Sequence, residues 1–328
     1  MPPVVCFDDN PTETLAILDD LYRVSQMRVT GTRRYGAPSK HRAGSIRRLG
    51  RYRSFETLER ITPAAALALA AEYERVGLLC GIKPFVANIE NWKPEVVDAL
   101  YEVGFFDRVG FEGEVKAPDP TASLIILPMR SGDTADPNQI AELLDGLRSL
   151  YPEQDDSRED GLVRLYGAMI EAVGNVVSHA YPADAVRNLS GANRWWMTGA
   201  VDRELRRTTA AVFDRGITIP VSLPGWSRAE GWVRRLQRLV GIMPPVTDTK
   251  SDGHAIFAAV EESMTSTGEE HRGTGLAQMR DFVSHCREGR LRILSRCGEV
   301  IYRPDQQPVV NAYEVPLGGT LIEWNVLL

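Results

Sequence analysis

Glu171 and Asn175 lie four residues apart in EAVGNVVSHAY, residues 171–181, a stretch that is otherwise small and apolar except for Ser178 and His179. At 100° per residue Asn175 falls about 40° round a helix from Glu171 and Ser178 about 20° the other way, so the three share a face. A carboxylate and an amide one turn apart can hold a water or a metal ion between them. The same spacing also describes an ordinary solvated helix face, and alone it leaves both open. Further on, Asp214-Arg215-Gly216 follows an apolar run. A carboxylate at a strand end accepts hydrogen bonds beside a backbone that, at Gly, can approach a flat ligand closely. D-x-G is common at plain turns as well. In HRGTGLAQMRDFVSH, 271–285, Gly273 and Gly275 lead into Leu276, Met279, Phe282 and Val283. That pattern is a helix whose amide-rich N-terminus can receive phosphate, although G-x-G before a helix is a weak discriminator.

The elements that must position these residues are legible from periodicity. Leu162, Tyr166, Met169, Val173, Val176 and Ala180 recur at intervals of three and four, one apolar stripe of a helix that needs a core. RWWMTGAV (194–201) and RRTTAAVFDRGITIP (206–220) read as strands, the second carrying Asp214 at its end. LRILSRCGEVIYR (291–303) and, after Gly318-Gly319, TLIEWNVLL read as two closing strands of an antiparallel sheet. In the first third, TLAILDDLYRVSQ (14–26), ITPAAALALAAEYERVG (61–77) and KPEVVDALYEVG (93–104) predict helices, with Thr62 capping the second and Pro63 in its first position. RYRSFETLE (51–59) and FVANIE (85–90) predict strands between them, an alternation expected of a small α/β layer. VKAPDPTA, 115–122, has the composition of a linker and places a domain boundary there. A strand, SLIILPM, and a helix near 137–150 follow.

Length and composition agree with two globular units. The chain has 328 residues, 43% hydrophobic and 25% charged, neither fibrous nor wholly disordered. No apolar run approaches the ~20 residues of a membrane span, and the N-terminus lacks a signal-peptide layout, so the expectation is a cytoplasmic protein with no membrane association. Cys6, Cys80, Cys286 and Cys297 form no C-x-x-C or His-spaced zinc pattern, as expected of free thiols in a reducing compartment. The net charge of −6 hides a basic stretch from Arg28 to Arg53 with nine Lys or Arg and no acidic residue. It could grip nucleic acid, but no aromatic or periodic order organises it, and a basic surface loop is the simpler reading.

The strand leading into ITPAAALALAAEYERVG, then FVANIE, then VVDALYEVGFF ending on Gly104-Phe105-Phe106, resembles the STAS fold of anti-sigma-factor antagonists over residues 1–120. The Asp-Ser pair expected before the helix is replaced by Arg60-Ile61-Thr62-Pro63, so the likeness implies docking or scaffolding rather than a phosphoacceptor. Residues 123–328 resemble the GHKL ATP-binding fold of gyrase, chaperone and sensor-kinase ATPase domains. Glu171, Asn175 and His179-Ala180-Tyr181 look like its first box, Asp214-Arg215-Gly216 like its first glycine box, Arg272-Gly273-Thr274-Gly275-Leu276 like its second, and Gly319-Thr320 like its terminal strand. The HAY ending is most similar to the anti-sigma-factor serine kinases and their stand-alone relatives.

That resemblance implies an α+β fold: a mixed, largely antiparallel sheet covered by helices, preceded by the small STAS-like layer with its basic insert near 28–53. It implies ATP and Mg²⁺, with Asn175 holding the metal against the triphosphate and Glu171 activating the attacking group. Asp214 would accept the adenine amino group with Thr320 supporting it. Gly216 would let the purine approach, and Arg272, Gly273, Gly275 and Leu276 would form the phosphate turn. The stretch 241–272, including Lys250 and SMTSTGEE, would be a lid. The expected function is an ATP-binding regulator acting on a protein partner as a serine-protein-kinase-like enzyme or nucleotide-gated switch, with an ATPase or a nonenzymatic adaptor as alternatives and a homodimer as a compatible assembly. Thr218 and His271 occupy positions where the family usually has Gly.

Overall fold

The computed structural model describes residues 1–29, 54–81, 83–111, 113–151, 155–182, 193–225, 229–241, 247–265 and 275–328. Along the chain run β1 (Val4–Val5), α1 (Pro11–Val29), β2 (Arg60–Ile61), α2 (Pro63–Cys80), α3 (Pro94–Glu102), β3 (Leu124–Ile126), β4 (Arg130–Gly132), α4 (Pro137–Ser149) and α5 (Asp156–Asn175). After them come β5 (Trp195–Asp202), β6 (Arg207–Asp214), α6 (Ile219–Ser222), α7 (Ala229–Val240), α8 (Asp252–Thr265), α9 (Gly275–Ser284), β7 (Glu288–Ser295), β8 (Gly298–Tyr302), β9 (Val309–Ala312) and β10 (Thr320–Leu327). The class is α+β. Strands β3 to β10 form one eight-stranded sheet in the order β3-β5-β6-β10-β7-β8-β9, with β4 also on β5. Each pairing in it is antiparallel, so the sheet is not mixed. Among the described residues, parallel pairing is confined to β1 with β2 and a single bridge between Phe85 and Gly110.

Alternation along each strand sends side chains to two different cores. Trp195, Met197, Val201, Ala210, Val212, Ile322 and Trp324 face α4, α5, α7, α8 and α9. Trp196, Ala200, Ala211, Phe213, Leu294 and Leu321 face α1, α2 and α3. The sheet is therefore the middle of three layers. Helix α2 covers the second face closely because its first two turns are mostly alanine: Ala64 to Ala71 have no exposed surface, and a helix segment that is apolar all round belongs in a core. The first 120 residues thus share a core with the sheet instead of closing on one of their own, and 115–122 crosses from one layer to the next.

Neither strand expected in the first third forms over its pattern. Within 51–59 the described residues 54–59 make a turn, with Leu58 N–H donating to Phe55 O at 2.9 Å, and pairing falls just beyond them, at Arg60–Ile61. In FVANIE, Asn88 adopts φ 58° and a 3-10 turn follows at Ile89–Asn91, ending extension after the Phe85 bridge. The expected strand 291–303 is the hairpin β7–β8, turned at Arg296 with φ 53°. The proposed lid also shrinks. Asp252, at the head of α8, binds Arg296 and accepts from Cys297 N–H at 3.1 Å, and Ile256, Ala259 and Val260 are buried, so 252–265 is core helix; 242–246 and 266–274 lie outside the described residues, as do 30–53 of the basic segment. Among the described residues no helix is long and apolar enough to cross a membrane.

A polar cluster locks the N-terminal loop to the sheet. Arg292, 2% exposed, donates to Glu299 at 2.6 Å, Glu323 at 2.5 Å and Asp8 at 2.6 Å. Glu299 also accepts from Asn311 and the Tyr313 hydroxyl, both at 2.7 Å. Removing the cation alone strands two buried carboxylates. Arg292→Met is expected to lower unfolding stability by about 3–5 kcal/mol in urea titrations, and adding Glu299→Gln and Glu323→Gln to restore a large part of it.

Candidate functional site

The edge of the sheet nearest the end of α5 holds a row of polar side chains. Register places Asp214 of β6 beside Thr320 of β10, and Thr320 beside Ser295 of β7. All three point toward α5, as alternation requires of positions in phase with Val212, Ile322 and Ile293. Thr320 Oγ1 and Ser295 Oγ are 2.8 Å apart, and Ser295 Oγ accepts from Ile219 N–H at 2.9 Å. Asp214 is 3% exposed. Burial pushes its carboxyl up to about 7, against the opposing pull of the Gly216 amide, the Arg215 charge and the Thr320 amide. Gly216 N–H donates to Asp214 Oδ1 at 2.7 Å.

Gly216 is required by close approach. A Cβ there would overlap the Ala180 carbonyl and side chain, while Ile217 N–H donates to Ala180 O at 2.7 Å. The strand end is thereby docked on the end of the helix. At that point α5 gives way to a π turn, Val176–Ala180, a widening that recurs at functional sites. Tyr181 follows, its hydroxyl donating to Arg194 O at 2.7 Å and accepting from Arg215 N–H at 3.0 Å. Its phenol is held well above the usual range, first by burial and then by the Asp214 charge.

Glu171 and Asn175 leave α5 on the side away from Leu165, Met169 and Val173, which are buried. They meet the first residue of α9. A Cβ on Gly275 would sit 2.5 Å from Glu171 Oε2 and 3.3 Å from Asn175 Nδ2. The missing side chain lets the helix N-terminus, with its unpaired amides, come against the carboxylate and the amide. Leu276, Met279, Phe282 and Val283 bury the other face of α9.

Asn175, His179, Asp214, Leu276 and Thr320 line one cavity of about 70 Å³, walled by Ala172, Val176, Ala180, Ile217, Ile219, Ser222, Leu223 and Ile322. Four of the sequence-predicted binding residues, Asn175, Asp214, Leu276 and Thr320, therefore converge. Gly216, Gly275 and Glu171 do not line it, though each is next in sequence to a residue that does; Arg272 and Gly273 lie outside the described residues. Ser178 is exposed and does not line the cavity. The apolar wall from Ile217 to Leu223 and the Ser295 hydroxyl are absent from the sequence reading. The I-T-I-P pattern after the glycine was the available signal for the wall, since Thr218 and Pro220 start α6.

The volume is below the roughly 300–1,000 Å³ of pockets that enclose a whole small molecule, so it fits one end of a nucleotide-sized ligand. Two larger cavities, about 840 Å³ beside Arg60 and Arg290 and about 550 Å³ beside Cys286, lie elsewhere. In the larger, Arg290 pairs with Asp8 and Arg207 with Glu288. Asp214, by contrast, has no cation within ion-pair distance among the described residues. No group of three or more His, Cys, Asp or Glu suited to a metal occurs among the described residues. Comparison of the chain with protein-family models, curated proteins and solved structures returns no match.

A carboxyl whose pKa is raised from 3.8 to about 7 on folding makes the folded state bind more protons across that window. Its contribution to stability is fully present below about 4 and is lost as pH rises through about 7. The parent is expected to lose melting temperature relative to Asp214→Asn between pH 5 and pH 8, with the two curves converging at the acid end.

Proposed function

We propose that this chain is an ATP-binding regulatory protein that acts on a protein partner, as a serine-protein-kinase-like enzyme or a nucleotide-gated switch. The observation that carries the reading is a buried carboxylate at a strand end, with no cation at ion-pair distance among the described residues, in one cavity with Asn175, Leu276 and Thr320, whose hydroxyl pairs with that of Ser295. An acceptor of that kind suits an exocyclic amino group, and the flat apolar walls Ile217 and Val176 suit a purine. Glu171, Asn175 and the α9 N-terminus suit the triphosphate end. The resemblance to GHKL ATPases described above names Glu171, Asn175, Asp214, Leu276 and Thr320 among these residues.

Asp214 accepts from the adenine amino group, and does so best when ionised, so affinity rises as pH passes upward through about 7. Thr320, oriented by Ser295, gives a second polar contact beside it. Gly216 keeps the strand end free of a side chain where the ring lies. Asn175 offers one amide oxygen toward the triphosphate; a hard divalent cation takes oxygen ligands and shares them with phosphate and water, so one protein oxygen fits Mg²⁺ without a carboxylate cluster. Mg²⁺, when bound, neutralises triphosphate charge. Gly275 lets the α9 amides reach the phosphates. Glu171, held against that helix start, is placed to take a proton from an attacking hydroxyl or water.

Calorimetric titration with Mg-ATP is the direct test, and a parent protein that binds none refutes the reading. Asp214→Ala is expected to abolish the preference for ATP over GTP, a loss of about 1.5–3 kcal/mol for one hydrogen bond to a charged group. Asn175→Ala is expected to remove Mg-ATP binding. Glu171→Gln is expected to keep affinity while single-turnover transfer or hydrolysis falls by about 10²–10⁴-fold. Parental turnover in Glu171→Gln would assign the chain to binding without catalysis.

A further inference from the structure

Neighbouring residues of a strand point to opposite faces, and the end of β6 uses that to join two layers. Asp214 turns to the cavity. Arg215 turns to the N-terminal layer, where its Nε donates to Glu72 Oε1 on α2 with neither side chain exposed. Its Nη2 donates to Leu18 O on α1 at 3.2 Å, and its guanidinium lies 5.0 Å from the Tyr22 ring centroid. Arg75 sits 4.9 Å from the same ring and 3.9 Å from Glu72. The Arg215 backbone is gripped as well: its N–H donates to the Tyr181 hydroxyl, and a Cβ on Gly319 would sit 3.0 Å from its Cα. One residue thus touches α1, α2, the turn after α5 and the turn before β10, and the last two lead directly to Ala180 and Thr320 in the cavity wall. Among the described residues the pair leaves Arg215 Nη1 and Glu72 Oε2 without hydrogen-bond partners, a poor arrangement for stability alone.

We propose that Arg215 and Glu72 are positioning residues of the nucleotide site: their buried ion pair holds the Asp214–Gly216 strand end in register with α2, so that nucleotide binding and the packing of α2 on the sheet are coupled. This rests on the ATP-binding reading above. Among the described residues, the ionisable groups around Asp214 are His179 and Tyr181 on the turn after α5 and Arg215, next to it in sequence but turned to the other layer, with Glu72 and Arg75 beyond Arg215 on α2; β10 and β7 bring the Thr320 and Ser295 hydroxyls.

The test uses the full chain. In Glu72→Met/Arg215→Met an apolar pair of similar volume replaces the buried charges, an exchange that folds tolerate. Mg-ATP titrations from pH 6 to pH 8 read affinity and its pH midpoint. Hydrogen exchange of amides 63–80 in the parent is read with and without Mg-ATP. The double variant is expected to bind about 2- to 30-fold more weakly, the range of coupling carried by residues outside a site. Its midpoint is expected to move up, because the Arg215 charge no longer favours ionised Asp214; Glu72→Gln, which leaves that charge unneutralised, is expected to move it down. Exchange in α2 is expected to slow when Mg-ATP binds. A folded double variant with parental affinity and midpoint overturns the proposal, as does α2 exchange that ignores Mg-ATP in a parent that binds it. Should either variant fail to fold, the exchange measurement on the parent decides. A parent that binds no Mg-ATP overturns the nucleotide reading and this proposal together, which separates that failure from the others.

Discussion

Glu72 and Arg215 meet with no solvent on either side chain, and that contact constrains much of the molecule. A buried ion pair holds only while both partners stay in register, because breaking it leaves an uncompensated charge in the core. The strand end of β6, the middle of α2 and the backbone of α1 at Leu18 must therefore keep their spacing. Asp214 inherits that rigidity through a single peptide bond. Its position is set from the opposite face of the sheet, while its hydrogen bonds from Gly216 and its neighbour Thr320 set its orientation on the cavity side.

Covering both faces of an antiparallel sheet has a second consequence. Such sheets commonly leave one face to water and show polar alternation; here β5 and β6 show no such alternation, because both phases are buried along nearly their whole length. Polar groups on the second face then have to be satisfied inside the protein. Arg292 does this with three carboxylates drawn from β8, β10 and the N-terminal loop, and Thr198 by donating to Leu127 O at 2.6 Å. The N-terminal layer is a structural requirement of the sheet, whatever partner it also serves.

Strong local signals made the central elements legible. The 3–4 spacing along 162–180, the alanine-rich run from Pro63 and the apolar run in 194–201 all give the elements their patterns indicate, although Thr62, at the N-cap of α2, makes no side-chain cap hydrogen bond. The ends of those elements, where Asp214, Asn175 and Gly275 stand, were legible too, because a strand end and a helix start are recognisable positions. What stayed hidden depends on contacts between distant residues. Glu72 is one acid among alanines, and its partner is 143 positions away. The short pairing of Arg60–Ile61 depends on Val4–Val5, which no local period reveals. Alternation could not show that both sheet faces are covered, and polarity could not show that 252–265 is anchored by Asp252 rather than free to move.

The cavity exists because several element ends reach one corner without side chains in the way. Gly216 meets Ala180, Gly275 meets Glu171, and Gly319 meets the backbone of Asp214. Each contact brings a backbone, with its directed amides and carbonyls, to where a side chain would otherwise keep it out. The result is narrow and mostly apolar, with few polar groups, and selectivity in such a site comes from the penalty for leaving those groups unpaired. Asp214 is the strongest of them, since it is buried with no cation at ion-pair distance among the described residues, and the amide donors and the Arg215 charge offset that burial only in part. A ligand that presents a donor there relieves that penalty, and one that presents an acceptor adds repulsion to it. On the proposed nucleotide reading, discrimination between bases that differ only in the placement of amino and carbonyl groups would follow from the carboxylate's burial, and the burial follows from the two layers packed on either side of β6.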